Sequence, residues 1–174
     1  MNVSDYILMR LEDAGIDTAF LVYGGAMGEL ADAFTRQNAI RYVCAQHEQG
    51  AVFMAEGYAK ASGKPGLVIV TSGPGVGNIV TGLQNAHYDS TPLIAISGQV
   101  STEVGNPPES NLRQRGFQET PAEYIALPIT KYAATLDNAA TVRFKVEIAI
   151  NEATTGRPGP VLLDIPIDVQ KAEL

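Results

Sequence analysis

Short, mainly apolar runs alternate with stretches of helical periodicity along the chain. The runs predict strands at Ala19–Val22, Ile40–Val43, Leu67–Thr71, Leu93–Ser97, Ile129–Ala133 and Val161–Asp164. Apolar residues at helical spacing predict helices at Ser4–Gly15, Met27–Arg36, His47–Ala61, Pro74–Ala86 and Ala139–Ala153. This alternation predicts an α/β fold, a three-layer doubly wound parallel sheet of about six strands with helices on both faces. The length of 174 residues fits a single domain over residues 1–174.

Local signals add detail at three positions of this pattern. Ser4 is the expected N-cap of the first helix. Pro74 can begin the helix after the third strand, because a backbone N–H is not needed at that position. Cys44 lies in or beside an apolar strand and is expected to be a small core residue.

A long surface loop is predicted from Val100 to Arg115, where the chain turns polar and contains Pro107-Pro108. Long loops in compact domains are often functional. Arg113 and Arg115 lie in this loop and could bind an acidic substrate or partner. Solvated loop charges are the default interpretation of both residues.

Composition restricts the classes of partner. The chain has 12 basic and 19 acidic residues, and its net charge of −7 argues against nucleic acid as a main partner. Its one cysteine cannot form an internal disulfide, and no signal-like segment opens the sequence. No apolar run approaches the roughly 20 residues that span a bilayer. We therefore expect a cytoplasmic protein without membrane contact.

Glu48 is the first candidate for chemistry, because it follows a strand and begins a helix. In the structural interpretation, a carboxylate in the first turn complements the helix dipole, worth a few tenths of a kcal/mol to about 1 kcal/mol. In the catalytic interpretation, a glutamate in a pocket acts as an acid or base. His47-Glu48 does not extend to a zinc-binding helix, because Ala51 stands where the second histidine belongs. With two histidines and one cysteine, we expect no metal site within the chain.

A glycine-rich turn, Gly73–Gly77, follows the third predicted strand. A dinucleotide fingerprint would need glycine where Asn78 stands, and an acidic residue at the end of the next strand is missing as well. No P-loop pattern occurs, and Ser72 lacks the glycine two positions earlier that a nucleophile elbow needs. The free N–H groups of the following helix nevertheless suit a polar ligand. A Rossmann-type nucleotide-binding domain therefore remains an alternative interpretation.

Several motifs follow one another in a fixed order along nearly the whole chain. They are His47-Glu48-Gln49-Gly50-Ala51, Ala55-Glu56-Gly57-Tyr58-Ala59, Thr71-Ser72-Gly73-Pro74-Gly75 with Asn78, Asp89-Ser90-Thr91-Pro92-Leu93, Gly98-Gln99-Val100, Phe117-Gln118-Glu119, Thr130-Lys131, Thr155-Gly156-Arg157-Pro158-Gly159-Pro160-Val161, and Ile165-Pro166 with Asp168-Val169. In this order they resemble the pyrimidine-binding, N-terminal domain of thiamine diphosphate enzymes. Among those enzymes the resemblance is strongest to acetolactate synthases.

The resemblance implies both an activity and a set of site residues. Glu48 would hydrogen-bond N1′ of the cofactor's pyrimidine ring and so activate the cofactor toward a small 2-oxoacid. The implied reaction is decarboxylation followed by carboligation, because Phe117-Gln118 is synthase-like and the paired histidines of simple decarboxylases are missing. The implied catalytic residues are Glu48 and Gln118. The implied cofactor-binding residues are Gly24, Gly25, Glu48, Thr71, Ser72, Gly73, Pro74 and Asn78.

Two departures from the family pattern bear on this site. Family members usually carry a Gly-x-Pro-Gly-Gly turn where this chain has Leu21-Val22-Tyr23-Gly24-Gly25, which alters one wall of the pocket and leaves the substrate open. The family's Gly-Asp-Gly motif, which with a later asparagine holds the diphosphate through magnesium, does not occur. We therefore expect activity only with a diphosphate-binding subunit or domain that supplies the magnesium site, in a homodimer or heterotetramer. A catalytically silent interaction subunit of the same fold is the remaining alternative.

Overall fold

The computed structural model describes residues 1–105 and 111–174, and all strands named within them belong to one parallel sheet. The order across this sheet is β2-β1-β3-β4-β6-β5. The strands are β1 (Thr18–Leu21), β2 (Arg41–Cys44), β3 (Gly66–Val70), β4 (Leu93–Gln99), β5 (Tyr132–Thr135) and β6 (Pro160–Pro166). The predicted parallel sheet of about six strands is confirmed.

Helices connect the strands and cover both faces of the sheet. They are α1 (Val3–Asp13), α2 (Gly28–Ala33), α3 (Glu48–Ser62), α4 (Pro74–Asp89), α5 (Ala122–Ala126), α6 (Ala139–Thr154) and α7 (Ile167–Lys171). Short 3-10 turns flank α2 and follow α5, at Gly25–Met27, Phe34–Arg36 and Leu127–Ile129. None of the helices in the described ranges is both long and apolar enough to cross a membrane.

Each face of the sheet carries its own hydrophobic core. Leu67 and Ile69 of β3 belong to the core beneath α1, α2, α6 and α7. Val68 and Val70 belong to the core beneath α3, α4 and α5. All of these residues are fully buried, as expected for a central parallel strand covered on both faces.

The winding of the chain reverses between β1 and β3. β2 lies outside β1, whereas β3 lies on the other side of β1. The register pairs Leu21 with both Cys44 and Ile69, so the carboxyl ends of these three strands lie at one edge. Open α/β sheets bind ligands in the crevice outside such a reversal. The topology therefore places the candidate site at the ends of β1, β2 and β3.

The first helix begins earlier than predicted. Asn2, not Ser4, is the N-cap of α1, and its side chain accepts a hydrogen bond from the Asp5 N–H at 2.9 Å. Ser4 is fully buried, and its hydroxyl donates to the Gln170 carbonyl of α7 at 3.0 Å. The prediction was wrong because the partner of Ser4 comes from the far end of the chain.

Cys44 is not a core residue, contrary to the prediction. β2 is the outer strand at its end of the sheet, and all of its residues, Cys44 included, are exposed. An edge strand has a neighbouring strand on one side only, so apolar sequence does not guarantee burial there.

The region before β5 differs from the prediction of a strand at Ile129–Ala133. Leu127–Ile129 is a 3-10 turn, and the Thr130 hydroxyl donates to the Ala126 carbonyl at 2.8 Å. β5 therefore begins only at Tyr132. The short helices α5 and α7 were not predicted, because five residues are too few to show a helical period.

The predicted surface loop is irregular in the part that the structure describes. Residues 100–105 and 111–115 contain neither helix nor strand, and Arg113 and Arg115 are exposed. Pro107-Pro108 lies outside the described residues.

Candidate functional site

The turn that follows β1 packs directly against the end of β3. A Cβ at Gly24 would lie 2.7 Å from the Thr71 hydroxyl oxygen and still closer to the Thr71 Cβ. The N–H of Ala26 donates to the same hydroxyl at 3.3 Å. Gly25 is exposed, and a Cβ there would meet nothing within 4 Å. Close approach therefore requires glycine at position 24, whereas position 25 faces open space.

Glu48 begins α3 just after the carboxyl end of β2, where the sequence placed it. His47 is the N-cap, and its Nδ1 accepts a hydrogen bond from the Gln49 N–H at 3.2 Å. The Glu48 side chain is half-buried, and its Oε2 accepts a hydrogen bond from Asn78 Nδ2 at 2.9 Å. A Cβ at Gly75 would stand 3.7 Å from the other oxygen, Oε1. Glu48 thus has one oxygen held and one oxygen beside a glycine.

Asn78 is directed at Glu48 by its place in the second turn of α4. Hydrogen bonds that involve a carboxylate are shorter and stronger than those between neutral groups. The bond therefore fixes the orientation of the Glu48 carboxyl group. The direct cofactor contact assigned to Asn78 from the sequence stays a prediction.

The glycine-rich turn meets Gln118, which comes from a distant part of the chain. Gly73 has φ +66° and Gln118 has φ +57°, so both residues are in the left-handed region. A Cβ at Gly73 would lie 2.7 Å from the Gln118 Cβ and 2.9 Å from the Gln118 carbonyl oxygen. Residues other than glycine seldom adopt this backbone conformation, and they keep it only where their surroundings impose it. The contact places the predicted catalytic Gln118 beside the turn.

The remaining site predictions fall on the same two turns. Ser72 is buried, and Pro74 is the exposed first residue of α4, as predicted from its missing N–H. The residues that the structure brings together around the crevice are Gly24, Glu48, Thr71, Gly73, Asn78 and Gln118. The roles assigned to them stay predictions.

A buried polar network beside the crevice was not predicted from the sequence. Asp164 in β6 is 2% exposed and accepts hydrogen bonds from Ser97 Oγ at 2.5 Å and from Gln99 Nε2 at 2.9 Å. Gln99 Nε2 also donates to the Thr120 carbonyl at 2.7 Å, so it ties the segment after Gln118 to the sheet. Burial raises the pKa of Asp164 to about 7, against the lowering effect of the bonds from Ser97 and Gln99. Asp164 is a charged residue inside an apolar run, and this was the sequence signal that could have indicated the network.

A cavity of about 720 Å³ lies next to this network, at the carboxyl ends of β4 and β6. Gln99, Asp164, Arg113 and Arg115 are among its lining residues, whereas Glu48 is not one of the described residues that line it. The crevice at Glu48 is therefore identified by its chemistry and topology rather than by its volume. Among the described residues, no group of three histidine, cysteine or acidic side chains could hold a metal ion.

Comparison with known protein families finds a match that covers most of the chain. A family model described as "Thiamine pyrophosphate enzyme, N-terminal TPP binding domain" matches residues 1–126. This range contains every residue that the structure brings together around the crevice.

Individual relatives match the chain nearly from end to end. The chain is 45% identical over 168 residues to the chloroplastic acetolactate synthase of Arabidopsis thaliana, covering 97% of this chain and 24% of that protein. It is 43% identical over 171 residues to the acetolactate synthase large subunit of Lactococcus lactis subsp. lactis (strain IL1403), covering 98% and 28%. It is 44% identical over 155 residues to the mitochondrial acetolactate synthase catalytic subunit of Aspergillus candidus, covering 89% and 21%. The chain thus spans about a quarter of the length of these relatives.

Proposed function

This chain belongs to the thiamine pyrophosphate enzyme family through its N-terminal TPP binding domain, and from that premise we propose that it forms the pyrimidine-binding half of an active site that decarboxylates a 2-oxoacid. We assign the second half of the reaction, the joining of the product to an acceptor, from the likeness to acetolactate synthases. Substrate and acceptor are small 2-oxoacids in this proposal.

The environment of Glu48 supports the proposal most strongly. The pyrimidine ring of the cofactor is flat and needs a hydrogen-bonding partner for a ring nitrogen. Glu48 offers Oε1, while Asn78 holds Oε2 at 2.9 Å. The missing Cβ at Gly75, which would stand 3.7 Å from Oε1, leaves room beside that oxygen. The residues present therefore fit the pyrimidine end of the cofactor.

In this proposal, the residues of the chain have separate roles. Glu48 binds the pyrimidine N1′ and shares a proton with it, and Asn78 orients Glu48. Gln118, pressed against Gly73, presents an amide on the substrate side. When bound, the cofactor would supply a nucleophilic carbon and an electron sink for the decarboxylation of the 2-oxoacid.

We assign the diphosphate and magnesium site to a partner subunit or domain. In this family a Gly-Asp-Gly motif holds that end of the cofactor, and the motif does not occur in this sequence. The partner would contribute the motif, its later asparagine and the magnesium ion, and would close the crevice over Glu48.

The exposed side of α3 is the surface that we propose for this assembly. Phe53 and Met54 are 42% and 46% exposed. Gly50 and Gly57, one helical turn to either side, have open space where a Cβ would be. An apolar stripe with small residues permits close packing against another chain or domain. A homodimer and a heterotetramer with a separate diphosphate-binding subunit both use this surface in the proposal.

The cytoplasmic location expected from the sequence stays a prediction. The names of the plant and fungal relatives place those proteins in chloroplasts and mitochondria.

Titration calorimetry with thiamine diphosphate and magnesium tests the proposal. We expect weak binding to the chain alone and micromolar binding after a diphosphate-binding half of a related acetolactate synthase is added. Gly57→Trp places a bulky side chain on the assembly surface of α3, so it should abolish the gain while leaving the isolated chain folded. Ala140→Trp, at an exposed position of α6 on the opposite face of the sheet, is the matched control and should keep the gain.

Micromolar, magnesium-dependent binding with turnover by the isolated chain would contradict the need for a partner. An unchanged gain in the folded Gly57→Trp variant would show that α3 does not form the interface. Assembly without any cofactor binding would favour a catalytically silent interaction subunit.

A further inference from the structure

We propose that Gln170 is a positioning residue that holds the Gly24–Met27 turn in the shape that lines the crevice. This inference rests on the proposed function insofar as the turn forms part of a cofactor site. Gln170 lies in α7, near the end of the chain, and its side chain donates a hydrogen bond to the Ala26 carbonyl in the turn.

Gln170 is fully buried, and its amide bonds to three separate elements. Its Nε2 donates to the Ala26 carbonyl at 2.7 Å and to the Ile165 carbonyl of β6 at 2.8 Å. Its Oε1 accepts a hydrogen bond from the Leu30 N–H at 3.4 Å, at the start of α2, which has no side-chain cap from Met27. One side chain therefore joins β6, the turn and α2.

The peptide groups on either side of Ala26 are held from opposite sides. The N–H of Ala26 donates to the Thr71 hydroxyl in the crevice, and its carbonyl accepts from Gln170 behind. The turn also presses on β4, since a Cβ at Gly98 would lie 2.8 Å from the Met27 nitrogen and still closer to the Ala26 carbonyl. Without Gln170 the Ala26 carbonyl loses its side-chain donor. A buried polar group without a partner is costly, so the turn would shift to regain one.

A shift of this turn reaches the crevice directly. Gly24 packs on Thr71 too closely for any side chain, and the same threonine binds the Ala26 N–H. Rotation of the Ala26 peptide therefore moves Gly24 and Gly25, both predicted cofactor-binding residues. Gln170 acts through the turn, because its side-chain hydrogen bonds go to Ala26, Leu30 and Ile165 rather than to Glu48 or Gln118.

Amide hydrogen exchange of the full chain, measured by NMR, tests the positioning role without any cofactor. Gln170→Met keeps the length of the side chain and removes its donor and acceptor. We expect the exchange rates of the Ala26 and Met27 amides to rise about tenfold more than those of β4, which report global unfolding. The Leu30 amide loses its acceptor in the variant, so its rate is not informative.

Ser4→Ala is the matched control, because the Ser4 hydroxyl donates to the backbone carbonyl of the same Gln170 at 3.0 Å and not to the turn. We expect Ser4→Ala to change the exchange rates of the Ala26, Met27 and β4 amides by the same factor. If Gln170→Met does not fold, Gln170→Asn, one methylene shorter, is read in the same way. Equal acceleration of turn and β4 amides in the Gln170 variant would overturn the proposal.

Cofactor affinity in the complex with a diphosphate-binding half provides the second readout. We expect Gln170→Met to raise the Kd for thiamine diphosphate about tenfold and Ser4→Ala to leave it within about twofold. An unchanged Kd together with accelerated turn exchange would overturn the link between the turn and the site. If the wild-type complex does not bind the cofactor, the proposed function fails, while the exchange data still decide the role of Gln170.

Discussion

The charge state of the buried Asp164 makes the stability of the fold depend on pH. Its pKa rises from the usual 3.8 to about 7, chiefly because burial disfavours the charged form. The folded-state pKa thus exceeds the unfolded-state value, and the unfolded chain loses this proton first as pH rises. The stabilisation from the protonated carboxyl is complete below pH 3.8 and is lost as pH rises through about 7.

Asp164→Asn should remove this pH dependence, because the amide stays neutral. It can still accept from Gln99 and donate to the Ser97 hydroxyl. The unfolding free energy of the variant, relative to wild type, should therefore increase between about pH 4 and pH 8. The increase should be at most about 4 kcal/mol, the equivalent of the pKa difference between 3.8 and about 7. Urea unfolding at a series of pH values measures it.

Glu147→Gln is a control of opposite sign. A hydrogen bond from Arg10 lowers the pKa of Glu147, so its stabilisation is present at neutral pH and lost as pH falls. The difference in unfolding free energy between Glu147→Gln and wild type should therefore become smaller at acid pH. A pH-independent difference for Asp164→Asn would show that the buried carboxyl does not titrate between its unfolded and folded values.

The positions of individual site residues were predictable from the sequence where local sequence signals determine them. Glu48 was placed correctly because a strand end and a helix start are visible in the sequence. Its partner Asn78 and the buried Gln170 were not assigned these contacts, because both bonds join elements far apart in the chain. Ser4 was misassigned for the same reason, since its hydroxyl serves α7 rather than its own helix.

At the scale of elements, the contact between α3 and α4 sets the geometry of Glu48. Gly82 of α4 faces the fully buried Val52 of α3, and a Cβ at position 82 would lie 2.7 Å from the Val52 Cγ2. Besides the Glu48–Asn78 bond, Asn85 donates to both oxygens of Glu56, at 2.8 Å and 2.9 Å. Close helix packing at Gly82 therefore holds these polar pairs within hydrogen-bonding distance.

Gly82→Ala should destabilise the isolated chain, because the new methyl group overpacks against Val52. Overpacking costs roughly 1–3 kcal/mol, which exceeds or offsets the gain of up to about 1 kcal/mol from better helix propensity. Gly57→Ala in the interior of α3 has open space for its Cβ and should stabilise by about 1 kcal/mol. Denaturant unfolding measures both variants.

Equal stabilisation by the two alanines would show that α3 and α4 do not pack as closely as the structure has them. Such a result would also remove the physical reason for the fixed Glu48–Asn78 distance.

Most long elements were predictable, because periodicity and turn residues mark them. α3, α4 and α6 were expected within a few residues of their ends, and Pro74 marked the start of α4 correctly. The exposure of β2 was not predictable, since the position of a strand within a sheet depends on the topology. The 3-10 turns around α2 also escaped prediction, because packing against Thr71, Gly98 and Gln170 shapes the first of them.

For the whole molecule, the order of the motifs along the chain identified the family, which no single motif could do. The turn Gly73–Gly77 alone left a nucleotide-binding interpretation open, and Glu48 alone had a structural one. The winding reversal between β1 and β3 brings both to one crevice, and the family match covers that crevice entirely. The volume of the neighbouring cavity would have directed attention to Asp164 instead.

The most direct test of the central claim is the exchange rate of the C2 proton of thiamine diphosphate, bound to this chain together with a diphosphate-binding half. We expect fast exchange with wild type and a loss of roughly a hundredfold or more in Glu48→Gln, because glutamine cannot share a proton as an acid does. Glu56→Gln removes the same charge from the same helix, away from the crevice, and should keep the wild-type rate within about twofold. Wild-type exchange in Glu48→Gln would contradict the claim and leave Glu48 as a charge at a helix end.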